Sequence, residues 1–340
     1  MTEFFAEYGM FLLKTLTFVV AIIAIIITAA AAGRKSGQQD GLEVENLNQK
    51  YRKLATSLRR AVMNKTAWKA EAKKEKERAK AEAKSDERKP RVFVIDFKGD
   101  LKASAVPSLR EEVSAILDVA DEEDQVVVRL ENHGGVVHEH GLAASQLVRL
   151  RQKGIPLSVI VDKVAASGGY LMACVADRIY VAPFAILGSI GVIAQLPNFN
   201  RLLDSHGVDF EQVTAGEYKR NVTMFGKNTD EDRAKLKEQL EDVHDLFKGI
   251  VAEYRPDLDM AKVATGEHWY GRHALELGLA DEISTSDDLL AGLADSHDLY
   301  SVRFQVKQPL QKRLMSGVDS ALHSLEEFRW KRRFESRLPR

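Results

Sequence analysis

A single cysteine, Cys174, is all the thiol that the 340 residues carry. No intrachain disulfide can form, so the fold must rest on its apolar core. Cys174 lies in the apolar run Tyr170–Ala176, where a small buried hydrophobe is expected rather than a reactive thiol. Residues 43 to 88 hold neither proline nor glycine, and their aromatics are Tyr51 and Trp68 alone. Without aromatic interleaving, the basic charge of that segment argues poorly for nucleic acid. Gly-x-Ser-x-Gly is missing around Ser167, where Ala165 takes the place of the first glycine, so an α/β-hydrolase elbow is disfavoured. His138-x-His140 has no supporting Cys, Asp or Glu spacing and is a weak zinc motif. We therefore expect neither metal nor cofactor.

Charge of either sign is missing from Leu16–Ala32, a stretch rich in Ile, Val and Ala. Counted from Met10, with Lys14 tolerated near its edge, it approaches the roughly 20 residues that span a bilayer. A buried helix and a cleavable signal peptide are the competing readings, and Ala29–Ala32 offers small residues for cleavage. The leader is acidic, through Glu3 and Glu7, and the apolar stretch is long for a signal core. An uncleaved single-pass anchor is the expectation.

The formal net charge of −1 conceals a division. Residues 34 to 91 carry 18 Lys+Arg against 9 Asp+Glu, so the chain beyond them is correspondingly acidic. With Leu54, Leu58 and Val62 as a weak apolar stripe, this segment reads as a charged helical stalk, self-associating in its first half or touching anionic headgroups. Arg34 and Lys35 favour a cytoplasmic C-terminal side by the positive-inside rule.

After Pro90 apolar strands alternate with helices. Strands are expected at Val92–Phe97, Gln125–Leu130, Pro156–Val161 and Arg178–Val181, and helices at Val106–Val119 and Leu142–Gln152. Thr229 is expected to cap a long helix toward Tyr254, with Asp230, Glu231 and Asp232 in its first turn. A short helix and strand should fill Gly271–Ile283. The pattern is α/β, with strands buried on both faces.

Two glycine pairs follow successive strands. In Ala166-Ser167-Gly168-Gly169 a serine opens a helical stretch, and in Asn132-His133-Gly134-Gly135 a pair directly follows a buried strand. Backbone N–H groups of Gly168 and of Gly134 or Gly135 could face a developing oxyanion beside Ser167. A helix cap and a tight turn are the bland readings of the same pairs. For the base, His133, His138 and His140 compete with Lys219, Lys163 and Lys227, and spacing does not choose among them.

Ala165–Tyr170, Gly188-Ser189-Ile190-Gly191-Val192, Ala215–Arg220, Ala264–Gly271 and Gly278–Ile283 closely resemble the signal peptide peptidase A family of serine peptidases, within it the SohB branch. The likeness runs from about Val92 to Ile283, and the anchor-plus-stalk layout agrees. It implies Ser167 as nucleophile, Lys219 as general base and Ser189 orienting the lysine. Gly134 or Gly135 with Gly168 then forms the oxyanion hole. The implied fold is the spiral β-superhelix of the ClpP/crotonase type, behind an N-terminal transmembrane helix and helical stalk.

The implied partners are extended peptides or membrane-protein fragments, membrane lipid around the anchor, and copies of the same chain in a homo-oligomer in which Ser and Lys can come from neighbouring subunits. The resemblance places the protein in a bacterial inner membrane. Family members known for digesting signal peptides work on the extracytoplasmic face, opposite to the positive-inside count. The expected organisation is an anchor at 1–33, a basic stalk at 34–90, the peptidase domain at 91–308 and a basic aromatic tail at 309–340. One departure stands out: the family usually has Ser-Pro where this chain has Asn132-His133, which would loosen the oxyanion loop and put a titratable ring nearby. A catalytically silent scaffold and a crotonase-like acyl-CoA enzyme are the rival functions, the second weakened by the lack of a nucleotide-phosphate cradle.

Overall fold

The computed structural model describes residues 2–32, 41–82 and 89–306. The expected basic aromatic tail and the Arg34-Lys35 step lie outside these residues. α1 (Thr2–Ala32) contains Glu7–Ile25, a stretch with mean hydropathy 2.1 that is long and apolar enough to cross a membrane. It belongs to a unit separate from the compact domain Leu42–Gln305.

The domain begins with β1 (Gly41–Asn46) and two helices, α2 (Leu47–Val62) and α3 (Lys65–Glu82). Asn46 caps α2 by accepting the Gln49 N–H. Part of the segment expected as stalk is thus folded onto the domain, because Leu47 and Tyr51 lie on the one face of α2 that carries apolar residues at helical spacing. Leu47 joins the core against Val92, Val94, Val127 and Leu299.

The strand–helix alternation then follows: β2 (Arg91–Gly99), α4 (Val106–Val119), β3 (Gln125–Asn132), α5 (Val137–Gln152), β4 (Leu157–Val161), β5 (Val164–Ala166), α6 (Gly168–Cys174), β6 (Arg178–Val181) and β7 (Ile186–Gly188). Beyond these come α7 (Asn200–Ser205), α8 (Asp230–Tyr254), α9 (Met260–Val263), β8 (His268–Tyr270), α10 (Gly271–Glu276), β9 (Glu282–Ile283), α11 (Ser286–Leu293) and β10 (Asp298–Gln305). The main sheet has the order β1-β10-β2-β3-β4-β6-β9 and is parallel from β10 to β9. β5 leaves it at the end of β3, pairing Ala165 with Asn132, and then pairs in parallel with β7, which carries β8 antiparallel. This turn of the sheet onto a second set of strands accords with the α/β superhelix expected from sequence.

Burial on both faces explains the near-continuous apolar strands. One face of β2 and β3 (Phe93, Ile95, Phe97, Val126, Val128, Leu130) packs with residues of α4, α5, α6 and α8; the other (Val92, Val94, Val127) packs with α2 and α11. Cys174 is fully buried, and burial pushes its thiol up to about 12, as expected of a core residue. Thr229 and Asp232 form a reciprocal capping box at the start of α8, each accepting the other's backbone N–H.

Candidate active site

The site forms where β3, β5 and β7 end side by side. Ala166 is in register with Gly188, and the Ser167 N–H donates to Gly188 O at 2.8 Å. The next residues along the two strands are therefore neighbours, and both leave the extended conformation at the same point. Ser167 has φ 53° and Ser189 φ 52°, two of the three non-glycine residues with positive φ among those described. Such a backbone costs on the order of 1–3 kcal/mol and persists only where its surroundings impose it. Here two hydrogen-bonded strands impose it: Ser167 N–H on Gly188 O, and Ser189 N–H on Glu267 O at 2.6 Å.

Ser167 then caps α6, whose seven residues are all buried. Its carbonyl accepts the Leu171 N–H, which leaves the N–H groups of the first turn pointing past the serine. Tyr170 anchors this helix: fully buried, its hydroxyl donates to Leu279 O at 3.1 Å, and burial holds it well above the usual tyrosine range.

The glycine pair after β3 lies directly against Ser167. A Cβ on Gly134 (φ 83°) would stand 2.8 Å from Ser167 Cβ, 2.8 Å from Gly168 N and 2.7 Å from Ala166 O, so no larger residue fits. Gly135 lies against the Leu101 backbone as closely, and Val136 N–H donates to Leu101 O. The sequence left Gly134 and Gly135 as alternative donors, and the hydrogen bonds separate them. Gly134 N–H is donated to Asn132 Oδ1 at 2.9 Å. Among the described hydrogen bonds, Gly135 N–H and Gly168 N–H have no acceptor.

Ser167, Ser189, Gly134 and Gly168 thus lie together, with Gly135 the next residue of the same loop, whereas Lys219 does not join them. It is exposed in a turn closed by its own N–H on Gly216 O, and no described hydrogen bond or ion pair links it to either serine. Its rival Lys163 is paired with Glu131 at 3.0 Å, and Lys227 is exposed. The segment carrying Lys219, residues 191–228, holds itself together through Phe199, Phe210 and Phe225, and through Asn198 donating to Thr223 O and Gly226 O. It leaves Ile193 (75 %), Leu196, Leu202, Val208 and Val213 (97 %) exposed.

The histidines sort differently from their order in the sequence. His133 and His138 are exposed. His140 is fully buried, with Nδ1 3.0 Å from Val136 O and Nε2 3.2 Å from Asn132 Oδ1. The sequence suggests His140 only as a base or zinc ligand, and Asn132 only as a departure from the family's Ser-Pro. The signal lay in spacing: Asn132 ends a buried strand, and His140 stands on the inward face of α5 beside Ala143, Ala144 and Leu147.

A half-buried serine at a strained strand–helix junction, with the unspent Gly168 N–H directly after it and Gly134 packed against it, is an arrangement able to support acyl transfer. Two family models match the chain: residues 3–147 match the N-terminal model of peptidase family S49, and residues 149–300 match peptidase family S49 itself. The chain belongs to peptidase family S49. It is 45 % identical over 342 residues to the probable protease SohB of Haemophilus influenzae, covering 96 % of this chain and 97 % of that one. With the probable protease SohB of Buchnera aphidicola subsp. Acyrthosiphon pisum it shares 47 % over 322 residues, 94 % of this chain and 95 % of the other. A putative signal peptide peptidase SppA of Enterococcus faecium is 30 % identical over 49 % of each chain. Among solved structures, it is similar to a mutant of the 1510-N membrane-bound stomatin-specific protease (TM-score 0.41, 15 % identity, 60 % of this chain and 85 % of that one). A second is a mutant of ClpP1 from Listeria monocytogenes (TM-score 0.37, 11 % identity, 58 % and 92 %).

Proposed function

We propose that this peptidase is a serine endopeptidase anchored in a bacterial inner membrane, cleaving peptide bonds through an acyl-enzyme on Ser167 with Lys219 as general base. The observation that carries the proposal is the strained Ser167 beside the free N–H groups of Gly135 and Gly168. Ser167 Oγ attacks the scissile carbonyl carbon while its proton passes to the neutral amine of Lys219. The oxyanion is received by Gly135 N–H and Gly168 N–H, the second at the positive end of α6. Collapse breaks the C–N bond, and the lysine returns the proton to the leaving amine. Water then attacks the ester carbon, giving one proton to Lys219; collapse breaks the acyl C–Oγ bond, the lysine returns that proton to Ser167 Oγ, and the carboxylic acid leaves with the serine and the neutral amine regenerated.

An amine must be desolvated to accept a proton near neutrality, and within one chain Lys219 is exposed. The desolvation is therefore assigned to a neighbouring copy: the apolar side chains of 191–228 pack on that copy and deliver Lys219 to its Ser167 and Ser189. Exposed apolar surface of this extent supports such an interface. Leu101, whose backbone packs on Gly135, is a residue next to the loop with an exposed apolar side chain. That side chain suits extended apolar peptides such as signal peptide remnants or membrane-protein fragments, delivered beside the bilayer by α1.

The test is covalent labelling of the full-length protein by a serine-acylating probe. Labelling should map to Ser167 and disappear in Ser167→Ala and in Lys219→Ala. Absence of labelling in every oligomeric state would identify a catalytically silent scaffold instead. Protease accessibility of tagged termini in spheroplasts fixes the side of the membrane.

A further inference from the structure

Gly134 and Gly135 would be a poor oxyanion loop if left to themselves. Both have positive φ, 83° and 158°, and no proline precedes them to narrow their conformations. Some other constraint must hold the Gly135 N–H in place, and the residues behind the loop supply it. Asn132, fully buried, spends its whole amide on this region. Its Oδ1 accepts the Gly134 N–H at 2.9 Å and faces His140 Nε2 at 3.2 Å; its Nδ2 donates to Met172 Sδ at 3.3 Å. The amide orientation is fixed by the first contact, because a backbone N–H demands an oxygen there.

These three bonds join four elements: the end of β3, the glycine loop, α5 through His140, and α6, the helix headed by Ser167. Close packing repeats the connection. A Cβ on Gly168 would stand 2.5 Å from His140 Cγ, and one on Gly169 would collide with the Asn132 carbonyl oxygen. The two donors of the proposed oxyanion hole are thus backed by one pair of side chains. Asn132 holds the loop that presents Gly135, and the His140 ring is the surface on which Gly168 rests.

We infer that Asn132 and His140 act as a positioning pair for the oxyanion hole, replacing with a buried hydrogen-bonded bracket the rigidity that a proline would give the loop. Neither touches substrate; each acts through the backbone it holds. His133, between Asn132 and the glycine pair, is exposed and makes none of these contacts. The inference deepens the peptidase reading and rests on it for the catalytic consequence.

The test uses the full-length protein with two readouts. The first is hydrogen exchange of the backbone amides across 133–137. Asn132→Ala should expose the Gly134 amide, raising its exchange rate by at least tenfold while α4 and β4 keep theirs, whereas Asn132→Asp, which retains the accepting oxygen, should restore protection. The second is hydrolysis of an apolar fluorogenic peptide. Removing one oxyanion donor outright costs about 100- to 1,000-fold in kcat, so a displaced donor should cost about 10- to 100-fold in Asn132→Ala. KM should change less than about threefold, and Asn132→Asp should recover most of the loss. His140→Phe, which keeps the ring and removes its bond, should lower kcat in the same sense.

Unchanged exchange in Asn132→Ala overturns the inference, and so does raised exchange with kcat unaltered. A fall in kcat that Asp fails to rescue, accompanied by an equal loss of thermal stability, also overturns it, since this is what a merely structural residue would show. If the wild type shows no Ser167-dependent hydrolysis, the peptidase reading fails; the exchange experiment then decides on its own whether the bracket holds the loop.

Discussion

Ser167 is the residue at which local strain and chemistry coincide. Its φ of 53° places an L side chain where glycine is at ease, and two strand partners hold it there. The strain can be separated from the chemistry. Ser167→Ala and Ser167→Gly both remove the hydroxyl, but only the glycine relieves the backbone. Ser167→Gly should be the more stable of the two by about 1 kcal/mol, visible as a higher thermal unfolding midpoint, with hydrolysis equally absent from both. Equal stabilities would show that the surrounding strands impose no strain at this position. The serine beside two glycines was legible in the sequence; its positive φ was not, because that follows from the pairing of Ala166 with Gly188, two positions far apart in the chain.

At the scale of elements, most of the long apolar strands and helices stand where periodicity places them, but α5 begins at Val137, five residues before the expected Leu142, and that added turn carries His140. α4 spans Val106–Val119 and β6 spans Arg178–Val181, as expected from their patterns. β5, β7 and β8, three residues each, are too short to show a period, and yet β5 and β7 are the strands that bend the sheet and bring Ser167 beside Ser189. The bracket behind the glycine loop was hidden for a similar reason, since Asn132 and His140 meet only once β3 and α5 have packed.

Another long-range tie fixes α8 against the sheet. Arg255, just beyond its end, pairs with Asp281 through both carboxylate oxygens (2.7 and 2.9 Å) and donates to Gly278 O. Asp281 also accepts the Ile179 N–H at the start of β6. Burial alone would raise the Asp281 carboxyl, but the Arg255 guanidinium and the Ile179 N–H outweigh it and hold the group below the usual carboxylate range. A depressed folded value means that the contribution to stability is complete above the unfolded value, near 3.8, and is lost as pH falls through the folded one. Asp281→Asn should cost about 1 to 2 kcal/mol at pH 7, because it leaves the mostly buried Arg255 without its counter-charge while the partly exposed carboxylate is screened by solvent. The gap between wild type and variant in the thermal midpoint should close as the pH is taken below 3.8. A gap that stayed constant across that range would assign the loss to packing rather than to charge.

For the whole molecule, the question is why one chain holds an exposed Lys219 and an exposed apolar segment 191–228 while its Ser167 site is otherwise formed. The motif around Lys219 proposes it as the base by resemblance, and the same resemblance, not any pattern along the chain, raises delivery of that lysine to a different copy. If it is so delivered, catalytic failure should be divisible between subunits. Full-length Ser167→Ala keeps Lys219 and full-length Lys219→Ala keeps Ser167, so each is inactive as a pure assembly. Co-expressed at equal levels and purified together, they place an intact serine opposite an intact lysine at about a quarter of the sites in a randomly mixed closed ring. The mixed preparation should therefore regain about a quarter of wild-type kcat per subunit, with KM unaltered. Deleting the exposed side chains at Ile193 and Val213, by substitution to Ser in both partners, should abolish the recovery by weakening the contact that carries the lysine across. A mixture as inactive as its parents, in assemblies shown to contain both variants, would mean that Ser167 and Lys219 of the same chain must meet, and that residues 191–228 fold back onto their own site.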